Sequence, residues 1–328
     1  MMQTVSIAQS LRSRGYHPVL IFGTRASGKS SLLASLFQFL ESPSFPGIAV
    51  FDKEPIIPVD TEYGEEIFKN AKRFFEGVMD SFHAGRAAPR TYDNFFIPIE
   101  IIPNNGLPPV KLAFLESRGE SYQIDRNAEN LFPPPRPEVA DIYQNFLDSV
   151  SLLVIAPYTL ANTYVGEEEN DIVRNEIRNS DTAMYAALQG YLNYRAHREH
   201  DHHLFLLTKW DARTRGPMDP EFISPPRGLV EHLIAERFPR SWTLFRNMQT
   251  RPALSLQYSS GIMIGEERLN VPADQKMLME RFPKVLSEWL YSNASGGLSL
   301  SAGLPEQEGQ GMPGLLNRFF RWLKRALS

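Results

Sequence analysis

The chain has 328 residues, 42% of them apolar and 22% charged, a size and composition that suit one large or two ordinary globular domains and exclude wholesale disorder or a collagen-like fibre. Cysteine is absent, so disulfides, thiol catalysis, Cys-ligated zinc and iron–sulfur clusters are excluded together. The net charge of −4 is unevenly spread: Arg318, Arg321, Lys324 and Arg325 lie near the C-terminus without an acid, leaving 30 of the 34 basic residues against all 38 acidic ones, a poor match for a nucleic-acid backbone.

The first residues lack a charged start followed by an apolar stretch and a cleavage site, so a cytoplasmic location is expected. Residues 17–22 form a short β-rich apolar run. They lead into Gly23-Thr24-Arg25-Ala26-Ser27-Gly28-Lys29-Ser30 and then the helical SLLASLFQFLE, giving strand, glycine loop and helix. Residues 42–89 are irregular and proline-punctuated and read as an insertion, apart from an amphipathic helix over 65–82 with Ile67, Ala71, Phe74, Val78 and Phe82 on one side. Strands are predicted over 94–102 and 111–115, joined by Pro103-Asn104-Asn105-Gly106 into an antiparallel hairpin. The aromatic pairs Phe74-Phe75 and Phe95-Phe96 read as packing residues.

A proline-rich loop over 132–137 precedes a helix over 139–148. The apolar run 151–161, whose 151–156 part suits a strand buried on both faces, is about half of the ~18 residues needed to cross a bilayer. A helix over 181–195 leads into a second buried strand, 204–207, which ends in Thr208-Lys209-Trp210-Asp211. A helix over 227–238, a strand over 253–258 and a helix over 274–291 complete the alternation. It predicts an α/β fold with a mainly parallel sheet covered by helices and one antiparallel hairpin strand, spanning residues 1–292 as one domain. Residues 293–314 are rich in Gly and Ser and read as a flexible linker to a short helix over 315–328.

Gly23 to Ser30 matches GxxxxGK[ST] in the setting the motif requires. Glycines let backbone N–H groups converge on an anion, a helix N-terminus adds positive potential, Lys29 reaches the β- and γ-phosphates, and the Ser30 hydroxyl can ligate Mg²⁺. Residues Gly23, Thr24, Arg25, Ala26, Ser27, Gly28, Lys29, Ser30 and Ser31 are therefore expected around the phosphates. The alternative is a glycine-containing turn that binds nothing.

With Thr208-Lys209-Trp210-Asp211 following two further strands and ending a buried one, the chain resembles Ras-like P-loop GTPases of the translation-factor-related class over residues 16–292. The long insertion after the first helix is similar to that of double-GTPase domains in bacterial conflict systems. The resemblance implies a P-loop NTPase three-layer fold that binds GTP or GDP with Mg²⁺, in which the Asp211 carboxylate accepts from the N1–H and exocyclic amino group of guanine. Adenine offers no such pair of donors. Thr208 and Lys209 complete the base motif, and Ser259 and Ser260, within Tyr258-Ser259-Ser260-Gly261, correspond to the base-proximal loop. Thr91 is implied as the switch threonine near Mg²⁺ and the γ-phosphate, with Thr61 as its rival. Glu116-Ser117-Arg118-Gly119 aligns with DxxG, so Glu116 stands where the family holds Mg²⁺ through water by an aspartate. Glu120 stands where Ras-like members orient the attacking water with glutamine, and either accepts its proton or repels the γ-phosphate. Arg25 and Arg118 are candidate in-cis arginines for transition-state charge, or point to solvent.

These departures imply a guanine-nucleotide switch with slow or partner-stimulated hydrolysis, acting on a protein effector or operon partner. A nucleotide-locked scaffold and a P-loop ATPase or small-molecule kinase are the alternatives. His197, His200, His202 and His203 with Asp201 invite a metal reading, but they precede the strand that leads to Lys209 and so lie at the wrong edge for catalysis; a solvated helix end is the alternative. In the final segment Leu315, Leu316, Phe319, Phe320, Leu323, Ala326 and Leu327 share one helical face and the basic residues the other. This suits peripheral binding to an anionic membrane at its inner face, a partner's groove, or docking on the chain's own core.

Overall fold

The computed structural model describes residues 6–24, 26–56, 62–83, 95–116, 137–159, 171–213, 219–248, 253–260 and 276–301. Among these the strands are β1 (Tyr16–Phe22), β2 (Gly47–Phe51), β3 (Phe95–Pro103), β4 (Val110–Glu116), β5 (Ser151–Pro157), β6 (His202–Thr208) and β7 (Ser255–Gln257). They form one sheet in the order β2-β3-β4-β1-β5-β6-β7. β1 is parallel to β4 and β5, β5 to β6, and β6 to β7, whereas β3 is antiparallel to both its neighbours. β3 alone therefore runs against the rest, as the Asn-Asn-Gly turn predicts.

The helices are α1 (Ile7–Ser13), α2 (Lys29–Leu40), α3 (Glu62–His83), α4 (Pro137–Asn145), α5 (Asp171–Tyr194), α6 (Trp210–Arg213), α7 (Pro220–Ile223), α8 (Leu229–Arg237), α9 (Pro239–Asn247) and α10 (Lys276–Ala294). Strand register assigns them to two layers. Phe114 lies beside Val19, and its ring meets Phe37 of α2 edge-on at 5.6 Å. Phe22, Val154 and Phe205 share the opposite face, where Phe205 packs edge-on against Trp242 and Phe245 of α9. Helices thus cover both sides of the sheet, an arrangement consistent with a three-layer α/β fold. β5, central and buried at every position, is the uninterrupted apolar strand such a location requires. Phe74 packs on Phe95 at 5.1 Å and Phe75 on Phe37 and Phe51 at 5.2 Å, so the paired phenylalanines are core, as read from the sequence.

Three expectations are corrected. The segment read as irregular apart from its helix contains β2, which extends the sheet by an edge strand; five residues without polar alternation gave no period to detect. The helix expected to begin at Asp181 begins at Asp171, and Asp181 sits in its interior. There its carboxylate accepts from the backbone N–H groups of Arg240 and Ser241 at 3.1 and 2.9 Å, holding the N-terminus of α9. The boundary expected at 292/293 falls inside α10, and the chain beyond it is anchored: Leu300 is buried, its carbonyl accepts from Asn105 Nδ2 at 3.0 Å, and Ser299 and Ser301 donate to Glu288. Residues 302–314 and the helix expected over 315–328 lie outside the described residues. No helix among the described residues is long and apolar enough to cross a membrane.

Candidate functional site

β1 delivers the chain to Gly23 at the carboxyl edge of the sheet, where open α/β sheets place their ligands. A Cβ on Gly23 would fall 2.6 Å from Ser27 Oγ and 3.0 Å from Ile155 Cβ, so the loop closes tightly against β5 only because this residue is glycine. The turn is completed by Ser27 N–H donating to the Thr24 carbonyl at 3.2 Å, with Ala26 at φ 58° and Gly28 at φ 91°. Gly28 is the N-cap of α2 and has no side chain with which to cap the first turn.

Lys29 is buried, and its ammonium donates back to the carbonyls of Gly23 and Thr24 at 2.8 and 3.2 Å. The loop's cation is thereby held across its own glycines. Ser27 Oγ is buried and, in the structure, without a hydrogen-bond partner. An orphaned hydroxyl beside a lysine and the start of a helix fits an anion-binding cradle. Ser30 and Ser31 follow on the first turn of α2, both half-buried.

β6 ends beside this loop. Thr208 Oγ1 donates to the Ser27 carbonyl at 2.6 Å and to the Ala156 carbonyl at 3.2 Å, binding the glycine loop to two strand ends at once. One residue on, Lys209 adopts φ 54°, a left-handed backbone rare outside glycine, and so reverses the chain into α6. Asp211 on α6 is buried and accepts from Ser259 Oγ at 2.8 Å; Ser259 is itself buried. Burial pushes the Asp211 carboxyl above its usual range, opposed by the Ser259 hydrogen bond and by Lys209. Burial likewise lowers the Lys209 ammonium, opposed by Asp211. Tyr258 fixes the serine: its N–H donates to the Leu207 carbonyl at 2.8 Å, its carbonyl accepts from Trp210 N–H at 3.2 Å, and its hydroxyl meets Ser35 Oγ of α2 at 2.7 Å.

The structure therefore brings together residues 23, 24 and 26–31 with Thr208, Lys209, Asp211 and Ser259; Ser260 follows, half-buried. Arg25, Thr61, Thr91, Arg118, Gly119 and Glu120 lie outside the described residues. Glu116 is described only as the backbone end of β4, paired with Phe95. Sequence reasoning missed Ser180 of α5, whose Oγ lies 2.5 Å from Thr24 Oγ1 in a buried contact. A serine in a helix interior carries no periodic signal that would reveal it. The histidine segment forms no metal centre among the described residues. Its acid, Asp201, is instead the acceptor for Arg195 and Tyr191, in an ion pair whose side chains are fully buried.

No family model matches the chain, and no curated protein matches it. Among solved structures the chain is similar to the GTPase-like domain of S. cerevisiae Ski7 bound to GTP, at 14% identity and a TM-score of 0.34, covering 80% of this chain and 48% of that one. The chain thus spans about half the length of that protein chain.

Proposed function

We propose that the chain is a guanine-nucleotide-binding protein of the P-loop GTPase type, with slow or partner-stimulated hydrolysis. The observation that carries the reading is the Thr208 hydrogen bond to the Ser27 carbonyl, which joins a glycine loop suited to phosphates to a strand end that presents a buried carboxylate three residues later. A carboxylate in that position is costly unless a ligand supplies donors, and the N1–H and amino groups of guanine form a matching pair. Ser259 holds its Oδ1 in place, and the Lys209 stem would lie along the base.

In the bound state Lys29 would turn its ammonium toward the β- and γ-phosphate oxygens, assisted by the N–H groups at the start of α2. Ser30 would supply one oxygen to Mg²⁺, with Thr91 and Glu116 as the further candidate holders. Bound there, Mg²⁺ would neutralise charge on the β- and γ-phosphates. Hydrolysis calls on Glu120 to orient or deprotonate water, and on Arg25 and Arg118 for developing charge. A glutamate at the water position is the reason to expect slow turnover. The ordering of the Thr91 and 116–121 segments around the γ-phosphate would be what a protein effector reads.

Binding of labelled GTP to purified protein, competed by excess ATP and by xanthosine triphosphate, tests this directly. Lys29→Ala should abolish binding. Asp211→Asn should weaken GTP by at least about a hundredfold, from the loss of two charge-assisted hydrogen bonds, and gain xanthine-nucleotide binding because its amide donates to the 2-carbonyl. Unchanged GTP affinity in Asp211→Asn would overturn the assignment of the base site.

A further inference from the structure

Among the described residues, the corner of the sheet formed by β2 and β3 is apolar and exposed. Ile48 and Val50 are 55% and 42% exposed, and Ile102, directly opposite Ile48 in the ladder, is 41% exposed. These three are most of the large hydrophobic side chains exposed among the described residues, and Leu298 is another. They share one face, because β2 turns Ala49 and Phe51 to the other side, where Phe51 meets Phe68 and Phe75 of α3. Edge strands ordinarily carry a charge or proline against unwanted pairing, and Gly47–Phe51 carries neither. A bare apolar corner of this kind implies a cover.

The place where the described chain ends identifies that cover. Asn105, in the turn between β3 and β4 three residues after Ile102, holds the Leu300 carbonyl, so the C-terminal segment departs beside this corner. The 13 residues from 302 to 314 reach roughly 40 Å when extended, far more than the crossing requires. They lead to a segment with apolar residues on one helical face and four cations on the other. The remainder of the chain has an excess of eight acids, and Glu100, opposite Val50, stands on the corner itself. Such a body attracts the basic tail and repels an anionic bilayer. Tethering adds an effective concentration in the millimolar range, which an untethered partner has to exceed. We infer that residues 315–328 dock as an amphipathic helix on the Ile48, Val50 and Ile102 face of the same chain.

The absence of native cysteine makes the test clean. In the full chain, cysteines introduced as Val50→Cys and Phe320→Cys should be joined by a short bismaleimide within one molecule, with a yield unaffected by dilution. Glu236→Cys with Phe320→Cys, on α8 at the far edge of the sheet, should not be joined. Amide exchange over 315–328 should speed up about tenfold in an Ile48→Lys, Ile102→Lys variant, whose changes fall on exposed positions. Crosslinks formed only between chains would instead assign the face to a second copy. Equal crosslinking of both cysteine pairs, or exchange over 315–328 at free-peptide rates until anionic phospholipid vesicles are added, would overturn the inference; the vesicle result would assign the helix to a membrane.

Discussion

Gly23 is the residue on which the glycine loop closes. Its neighbours leave no room for even one methyl group: of the three nearest atoms, Ile155 O at 3.1 Å is backbone and cannot swing aside as a side-chain tip could. Gly23→Ala would push the loop off β5 and carry Ser27 with it, a cost of about 1–3 kcal/mol by the usual penalty for overpacking. The larger effect should fall on binding, because the Gly23 and Thr24 carbonyls that hold the Lys29 ammonium move together with the loop. Gly23→Ala is therefore expected to lose nucleotide binding while still unfolding cooperatively; the checks are a urea titration and a labelled-nucleotide titration of one preparation. A variant that binds as well as the parent would show that the loop has slack the geometry denies. Asp211 is a different case: burial raises its carboxyl, and the Ser259 hydroxyl, its own backbone N–H and Lys209 only partly compensate.

At the scale of elements, the Thr208 hydroxyl joins β6 to the glycine loop. Thr208→Val keeps the shape and removes the donor, leaving the Ser27 carbonyl and part of the Ala156 carbonyl without a partner, at about 1–3 kcal/mol for a buried group. Stability should fall by that amount, and the added stabilisation by saturating GTP should shrink as well, because the loop and the base strand no longer move as one. Thermal melts with and without nucleotide measure both. A loss of stability with an undiminished nucleotide increment would reduce Thr208 to a packing residue. Elements of this kind divide what could be read in the sequence from what could not. The strands β1, β5 and β6, the helix α3 and the motifs at 23–30 and 208–211 were legible because periodicity, β-branched runs and special backbone positions are written locally. β2 was not, since a five-residue edge strand is defined only by pairing with β3. Sequence reasoning places the start of α5 ten residues late, and the contact of Asp181 with the N-terminus of α9 joins residues 59 apart, which no local pattern reveals. Ser180 and the Arg195–Asp201 pair are legible only in three dimensions, where residues from different elements meet. Of the candidate site, the residues proposed for the phosphates and the base converge, while Arg25, Thr91, Arg118 and Glu120, proposed for hydrolysis, fall outside the described residues.

At the scale of the whole molecule, the fold opposes the protonation of His17 and His203. His17 on β1 donates to or accepts from Ser151 Oγ at 2.9 Å, and burial with His202 nearby lowers it from 6.5 to about 3. His203 on β6, in contact with Tyr191 OH at 3.0 Å, is lowered to about 4 by burial, which outweighs the attraction of Asp201. The unfolded chain therefore binds protons near pH 6.5 that the folded chain refuses until much lower pH. The stability these groups contribute is fully present above about pH 6.5 and is lost as pH falls through the window toward 4 and then 3. Over that window each group accounts for up to about 1.4 kcal/mol per pH unit, the slope for one proton taken up by the unfolded state alone. Carboxylate titration below about pH 4.5 adds to the loss, so the histidine contribution is best isolated between pH 7 and 5. Urea midpoints of the full chain should fall across that interval, and a His17→Gln, His203→Gln variant should show a distinctly shallower fall, even where its stability at pH 7 is lower. Parallel pH profiles in the two proteins would mean that both imidazoles take up protons in the folded state at ordinary pH. Their placement on β1 and β6 would then have no bearing on acid stability.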